Sequence, residues 1–330
     1  MLKILLNTVL GVILIYIWSR FVDIPQIISN LSKVNLIYLV PIFLFMLLSP
    51  LIRAVRLKVF LTEITKIKLL DLIFLNGAAQ ILNFFIPIRA GEILKGVYLN
   101  TQYKLPLGKS VIWIFMDRFV DFLVVLLLTA VLFFVVPTTL NMKFIMIIIV
   151  ILFATLLLTY LIIYQARFAR GLFKLLRYLL IVESIKIYFD RFSTFILDAF
   201  SILNRHPKDL FYMIAITVLA YAADAAIWYF TFIALGVNQE FLKMYLGQLL
   251  SALTYLIPAA PGYVGSAEAS GLLILSGIFG ISTNLASTMV VLWHILAAIF
   301  ILIFGLISLY SLKIDVGVIF KKVLKREKNG

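Results

Sequence analysis

The 330-residue chain contains no cysteine. That excludes disulfides, thiolate metal sites and cysteine nucleophiles, and it leaves the redox compartment undetermined. Histidine is almost as scarce: the two, His206 and His294, lie far apart, so the sequence offers no histidine cluster for a metal. No cofactor is expected. Charge is thin at 13% of residues, against 64% hydrophobic residues and a mean hydropathy of +1.14. Apolar runs much longer than a soluble core helix requires identify an integral membrane protein. The charge present leans one way, with 29 Lys and Arg against 15 Asp and Glu. In a soluble protein such an excess points to nucleic acid, but here membrane topology accounts for most of it. The first apolar run, "ILLNTVLGVILIYIW", follows a short basic start and ends in "SRFVDIP" without a small-residue cleavage site, so an uncleaved span is expected.

Six segments, about 3–19, 36–60, 107–136, 142–165, 209–235 and 284–311, are long enough to cross the hydrocarbon layer. Two other apolar stretches, 69–101 and 241–280, each consist of a short arm, a break rich in Pro, Gly and polar residues, and a second short arm. The breaks read "NFFIPIRAGE" (83–92) and "YLIPAAPGYVGSAE" (255–268). Interrupted backbone at membrane depth survives only where protein or a watery cavity satisfies it, so both stretches are predicted to be re-entrant helical hairpins. Charge supports this. With Arg53, Arg56, Lys58, Lys66 and Lys68 read as a basic loop, a first hairpin places them on the same side as the basic segment 166–208. Assigning that side to the cytoplasm leaves only Arg20, Lys33, Lys143 and Lys243 outside, with Arg89 and Arg118 embedded. A multi-pass protein of the cell membrane with both termini cytoplasmic is expected.

The order span, connector, span, hairpin, span occurs twice, with three true spans each time. The fold predicted is therefore all-α, a single polytopic membrane domain over 1–330 built as an inverted-topology repeat, with halves 1–136 and 142–311 and a basic tail 312–330. The connector 166–207 carries Arg167, Arg170, Lys174 and Arg177 at helical spacing, opposite Phe168, Leu172, Leu175, Leu176 and Leu179. A basic amphipathic helix at an anionic membrane surface fits this pattern.

Charges inside spans cost roughly 2.5–3.5 kcal/mol each on insertion scales and are functional candidates by default. In "MDRFVDF", Asp117 and Asp121 share a helix face and Arg118 can reach Asp121. They form either a self-neutralising structural pair or carboxylates flanking a polar cavity; Arg89 at the first hairpin tip is the expected outside partner. Glu92 and Glu268 fall in the first turns of the second arms, where unpaired N–H groups and the helix dipole would also suit an anionic group such as phosphate. They either cap those arms or contact and gate a substrate. Pro87, Gly91, Pro258, Pro261, Gly262 and Gly265 supply the breaks. Asp224 and His294 are read as hydrogen-bonding groups of the bundle.

"LIRAVRLKVFL", "NFFIPIRAGEILKGVYL", "DRFVDFLVV" and "IPAAPGYVGSAEAS", in that order, resemble the transmembrane flippase-like domain of lysylphosphatidylglycerol synthases and its stand-alone relatives. The matching positions are Arg53, Arg56, Asn83, Pro87, Gly91, Glu92, Asp117, Arg118, Asp121, Pro261, Gly262, Gly265 and Glu268. Tyr263 stands where relatives often carry a second glycine. The resemblance implies a domain that moves a lipid with its headgroup between leaflets. The soluble aminoacyl-transferase domain of the synthases is not expected here, so an anionic phospholipid and a polyprenyl-phosphate-linked lipid are both substrate expectations. A lipid translocator without enzymatic activity is the leading reading. The alternatives are a membrane enzyme acting on a lipid headgroup, a membrane subunit for a separate synthase or glycosyltransferase, and a small-solute transporter.

Overall fold

A computed structural model describes residues 2–61, 66–86, 90–180, 182–205, 207–254 and 260–314. Among the described residues the chain is all-helical, as expected. Helix α1 (Leu2–Ser19) is followed by the short α2 (Ile24–Leu31), which Asp23 caps by accepting from Gln26 N at 3.1 Å. The two helices meet at 90°. A 3-10 turn, Leu36–Tyr38, capped by Asn35, leads into α3 (Leu39–Leu61). Helices α4 (Leu69–Phe85) and α5 (Ala90–Tyr103) are the two arms of the first interrupted stretch, and α6 (Leu107–Val135) follows. Next come α7 (Met142–Tyr164), α8 (Ala166–Leu179), α9 (Glu183–Arg205) and α10 (Pro207–Ala234). The second interrupted stretch consists of α11 (Phe241–Thr254), a 3-10 turn at Pro261–Tyr263, α12 (Ser266–Leu272) and a π-helical segment, Leu273–Ile278. The last helix is α13 (Thr283–Ser311).

Among the described residues five segments are long and apolar enough to cross a membrane: Leu36–Val59, Ile112–Val135, Met142–Tyr164, Lys208–Ala234 and Thr283–Ser311. The bent α1–α2 pair raises the number to six if it counts as one span. Helix α7 is apolar on every side and exposes Phe144, Ile147, Val150, Ile151 and Leu157, as a helix surrounded by hydrocarbon should.

Helices α3 and α10 pack along each other at the centre. Around them α4 packs on α13 and α11 on α6; α5 packs on α6 and α12 on α13. The α4–α13 contact is close because small residues face it. A Cβ on Gly77 would overlap Ser308 and Phe304, and one on Gly305 would overlap Ile81. Without a hydrophobic drive between helices in lipid, such backbone proximity is a main source of association. The α6–α7 link is tied to the end of the second interrupted stretch: Thr139 N donates to Ile278 O at 2.8 Å and Thr139 Oγ1 to Gly277 O at 2.7 Å.

Two sequence expectations are corrected here. Arg53 and Arg56 are not loop residues; α3 continues through both to Leu61. Lys95, read as a cytoplasmic charge, is buried on α5. Pro87, Arg89, Pro258 and residues 315–330, which include most of the basic tail, lie outside the described residues.

Candidate functional site

On α6, Asp117 and Asp121 project from one face, one turn apart. Arg56 of α3, 1% exposed, lies between them. Its Nε donates to Asp117 Oδ1 at 2.9 Å, its Nη1 donates to Asp121, and Nη1 also donates to Thr217 Oγ1 of α10 at 2.7 Å. Arg118 completes the other side of the same carboxylates, with Nη2 2.9 Å from Asp117 Oδ2 and Nη1 3.2 Å from Asp121 Oδ2. The i, i+3 reach expected of Arg118 is present. Arg56 is an outside partner of both carboxylates, brought there because α3 and α6 both pack against α10; Arg89, the partner expected from the sequence, lies outside the described residues.

Glu92 joins this group from α5. It stands 3.8 Å from Arg118 Nε and 3.7 Å from Lys95 Nζ, distances of ion pairing and not of hydrogen bonding. Glu92 Oε2 and Arg118 Nε are accordingly buried atoms without a hydrogen-bond partner among the described residues. A further pair lies alongside: Arg53 Nη2 donates to Asp224 Oδ2 at 2.7 Å, Ser49 Oγ donates to Asp224 Oδ1 at 2.6 Å, and the Arg53 guanidinium sits 5.3 Å from the Tyr221 ring centre. Arg53, Arg56, Lys95 and Arg118 balance Glu92, Asp117, Asp121 and Asp224. Pairing and hydrogen bonding make such burial tolerable. Arg118 is the most exposed side chain of the cluster at 37%, against about 20% for Arg53, Asp224 and Glu92 and 1% for Arg56.

The two interrupted stretches meet at their breaks. The Phe84 and Tyr263 rings lie 6.3 Å apart, and a Cβ on Gly262 would touch Phe84. Asn83 Oδ1 accepts from Gly91 N at 2.7 Å and so caps the arm that carries Glu92. Glu268 does the same for α12, accepting from Gly265 N at 2.7 Å through Oε2, while its Oε1 lies 2.6 Å from His294 Nδ1. The α12 terminus, a possible seat for a substrate anion, thus already holds a carboxylate. The Asn83 cap and the Glu268–His294 pair account locally for both second arms, leaving Glu92 as the acidic first-turn residue turned toward cations.

Beside the Arg53–Asp224 pair, α3, α10 and α11 form a groove of about 460 Å³. Phe45, Leu48, Ile52, Ala222, Ala226 and Phe230 are among its lining residues, and every lining side chain is apolar or aromatic.

This architecture defines a polytopic α-helical membrane protein with a paired charge cluster between its spans. The chain belongs to the family described as the lysylphosphatidylglycerol synthase TM region, whose profile matches residues 4–305. It is also similar to a UPF0104 membrane protein of Archaeoglobus fulgidus, at 32% identity over 111 residues. That match spans 33% of each of the two chains.

Arg56, Lys95 and Thr217 are among the members of the site that spacing alone did not reveal, as are Arg53 and Ser49 beside Asp224. The signal available for Arg56 was its position three residues after Arg53 inside a hydrophobic run that continues to Leu61. Thr217 has no sequence signal, since a lone threonine on an apolar span is ordinary.

Proposed function

We propose that the protein moves a lipid bearing an anionic or phosphate-linked headgroup between the leaflets of the cell membrane. The observation carrying this reading is the exposure of Arg118. Arg118 is the most exposed side chain of a charge-balanced cluster, and the planar fork of a guanidinium suits phosphate. Arg118 binds the headgroup, Asp117, Asp121 and Arg56 hold Arg118 in place, and Glu92 competes with the substrate for it. The apolar groove beside Arg53 and Asp224 accommodates a hydrocarbon chain, which lets the tail stay in lipid while the headgroup is inside. An anionic phospholipid and a polyprenyl-phosphate-linked lipid share the chemistry required.

The inverted repeat belongs to this reading. Exchanging α3 with α10, α4–α5 with α11–α12, and α6 with α13 turns the α4–α13 contact into α11–α6 and the α5–α6 contact into α12–α13. Both members of each pair occur, which supports two equivalent halves, 1–136 and 142–311, each contributing a re-entrant hairpin whose tip meets the other. Both termini are then cytoplasmic. The residues assigned to the site perform binding and gating without covalent chemistry.

In proteoliposomes containing fluorescent anionic lipid on both leaflets, the protein should render the inner pool accessible to an external quencher, and Arg118→Gln should abolish that while the protein still folds. Labelled lipids that keep their original leaflet, with or without a pH gradient, would overturn the reading.

A further inference from the structure

His294 of α13 makes two contacts at the second hairpin tip. Its Nδ1 faces Glu268 Oε1 at 2.6 Å and its Nε2 faces the Gly262 carbonyl oxygen at 2.7 Å. A carbonyl oxygen only accepts, so Nε2 must carry a hydrogen. If Glu268 is ionised it too only accepts, and Nδ1 must also carry one; if Glu268 is protonated, it donates to Nδ1. Either way the two hydrogen bonds require one proton more than a neutral imidazole beside a carboxylate contains. Glu268 is 6% exposed and uses its other oxygen on Gly265 N, so water does not readily substitute for the missing proton.

The geometry points to Glu268 and His294 as a proton-binding site that latches the second hairpin tip to α13. When the shared proton leaves, the imidazole retains one N–H for two acceptors. One contact becomes lone pair against lone pair, and the tip loses either Gly262 or Glu268. What is released is the turn that contacts the first hairpin through Phe84 and Tyr263 and packs on α1 through Gly11. Gly262 and Gly265 have φ of +71° and +82°, a left-handed conformation that glycine adopts freely, so the turn has backbone freedom once unlatched.

The elements around the pair add few competing charges. Helix α1 meets this turn through Gly11 and Leu14, and α4 through Phe84. Tyr263, on the turn itself, is the other ionisable side chain among the described residues of the tip. Among the groups on α3 and α10, which also pack on α13, Arg53 and Asp224 are bonded to each other. Among the described residues the pair is therefore the proton-sensitive element of this tip, and the inference deepens the translocation reading by giving it a coupling proton.

Because the chain has no cysteine of its own, a single introduced thiol reports the tip directly and without any lipid movement. Ala260→Cys places it at a residue 7% exposed beside Gly11, and Ser29→Cys on the exposed face of α2 serves as the thiolate reference. Relative to the reference, maleimide labelling at 260 should rise about tenfold as pH increases, the change that loss of one charge-assisted hydrogen bond implies. In the His294→Gln background it should be high and independent of pH. Flat labelling in the parent would overturn the latch and leave the translocation assay untouched. In the otherwise unaltered protein, ¹⁵N-histidine spectra and the infrared carboxyl band should reveal the shared proton, as an imidazolium or as a carboxylic C=O lost in Glu268→Gln. Absence of both would overturn the proton site, however the variants fold.

Discussion

Arg56 and Arg118 touch the same two carboxylates but differ in what surrounds them. Arg56 is sealed among α3, α6 and α10, so Arg56→Met leaves Asp117 and Asp121 short of a buried counter-charge. A loss of about 3–5 kcal/mol is expected, read as early thermal unfolding in detergent. Arg118→Gln removes an outer partner that is 37% exposed and should leave the melting temperature within a few degrees of the parent while removing lipid movement. The legibility of these residues follows from distance along the chain. Asp117, Arg118 and Asp121 were readable because helical spacing brings them together. Glu268 was readable as a cap because it lies three residues after Gly265. Their partners were not: Arg56 is 61 residues from Asp117, and His294 is 26 from Glu268. Hydropathy shows that such residues lie in a span, but not which neighbouring span they face. The same limit makes Arg53 and Arg56 look like members of a basic loop when the sequence stands alone.

At the scale of elements, the short interrupted arms were legible from Pro, Gly and polar residues within apolar runs, and the basic face of α8 from its three- and four-residue spacing. The π segment Leu273–Ile278 was not, since a widened helical turn depends on how the backbone is held at its ends and leaves no compositional mark. Here Thr139 holds one end through Gly277 O and Ile278 O. The α4–α13 seam was hidden for a related reason: Gly77 and Gly305 are ordinary glycines in sequence and become close neighbours only through packing. Gly305→Val drives a branched side chain into Ile81 and should cost about 1–3 kcal/mol, measurable as a lowered midpoint of thermal aggregation. Gly171, with open space around its Cβ position, is the control that should tolerate alanine.

For the whole molecule, the positions of the basic residues give a direct test of topology. Single cysteines replacing Lys33 and Lys143 should react with an impermeant maleimide from one side of sealed vesicles, and one replacing Lys174 from the other. A single residue, Gln165, separates α8 from the end of α7. Arg177 pairs with Asp190 of α9 at 2.8 Å, and Lys186 bonds Glu183 at 2.6 Å, which holds the Glu183 carboxyl below its usual range. The charge cluster also constrains how the protein is made. Arg53 enters the membrane with α3, but Asp224 is synthesised 171 residues later. At about 5–20 residues per second, that guanidinium waits roughly 10–30 s for its carboxylate. The insertion machinery must shelter α3 throughout that interval, and a chain cut short before α10 would be left with an unmatched charge in its membrane segment, a mark for degradation.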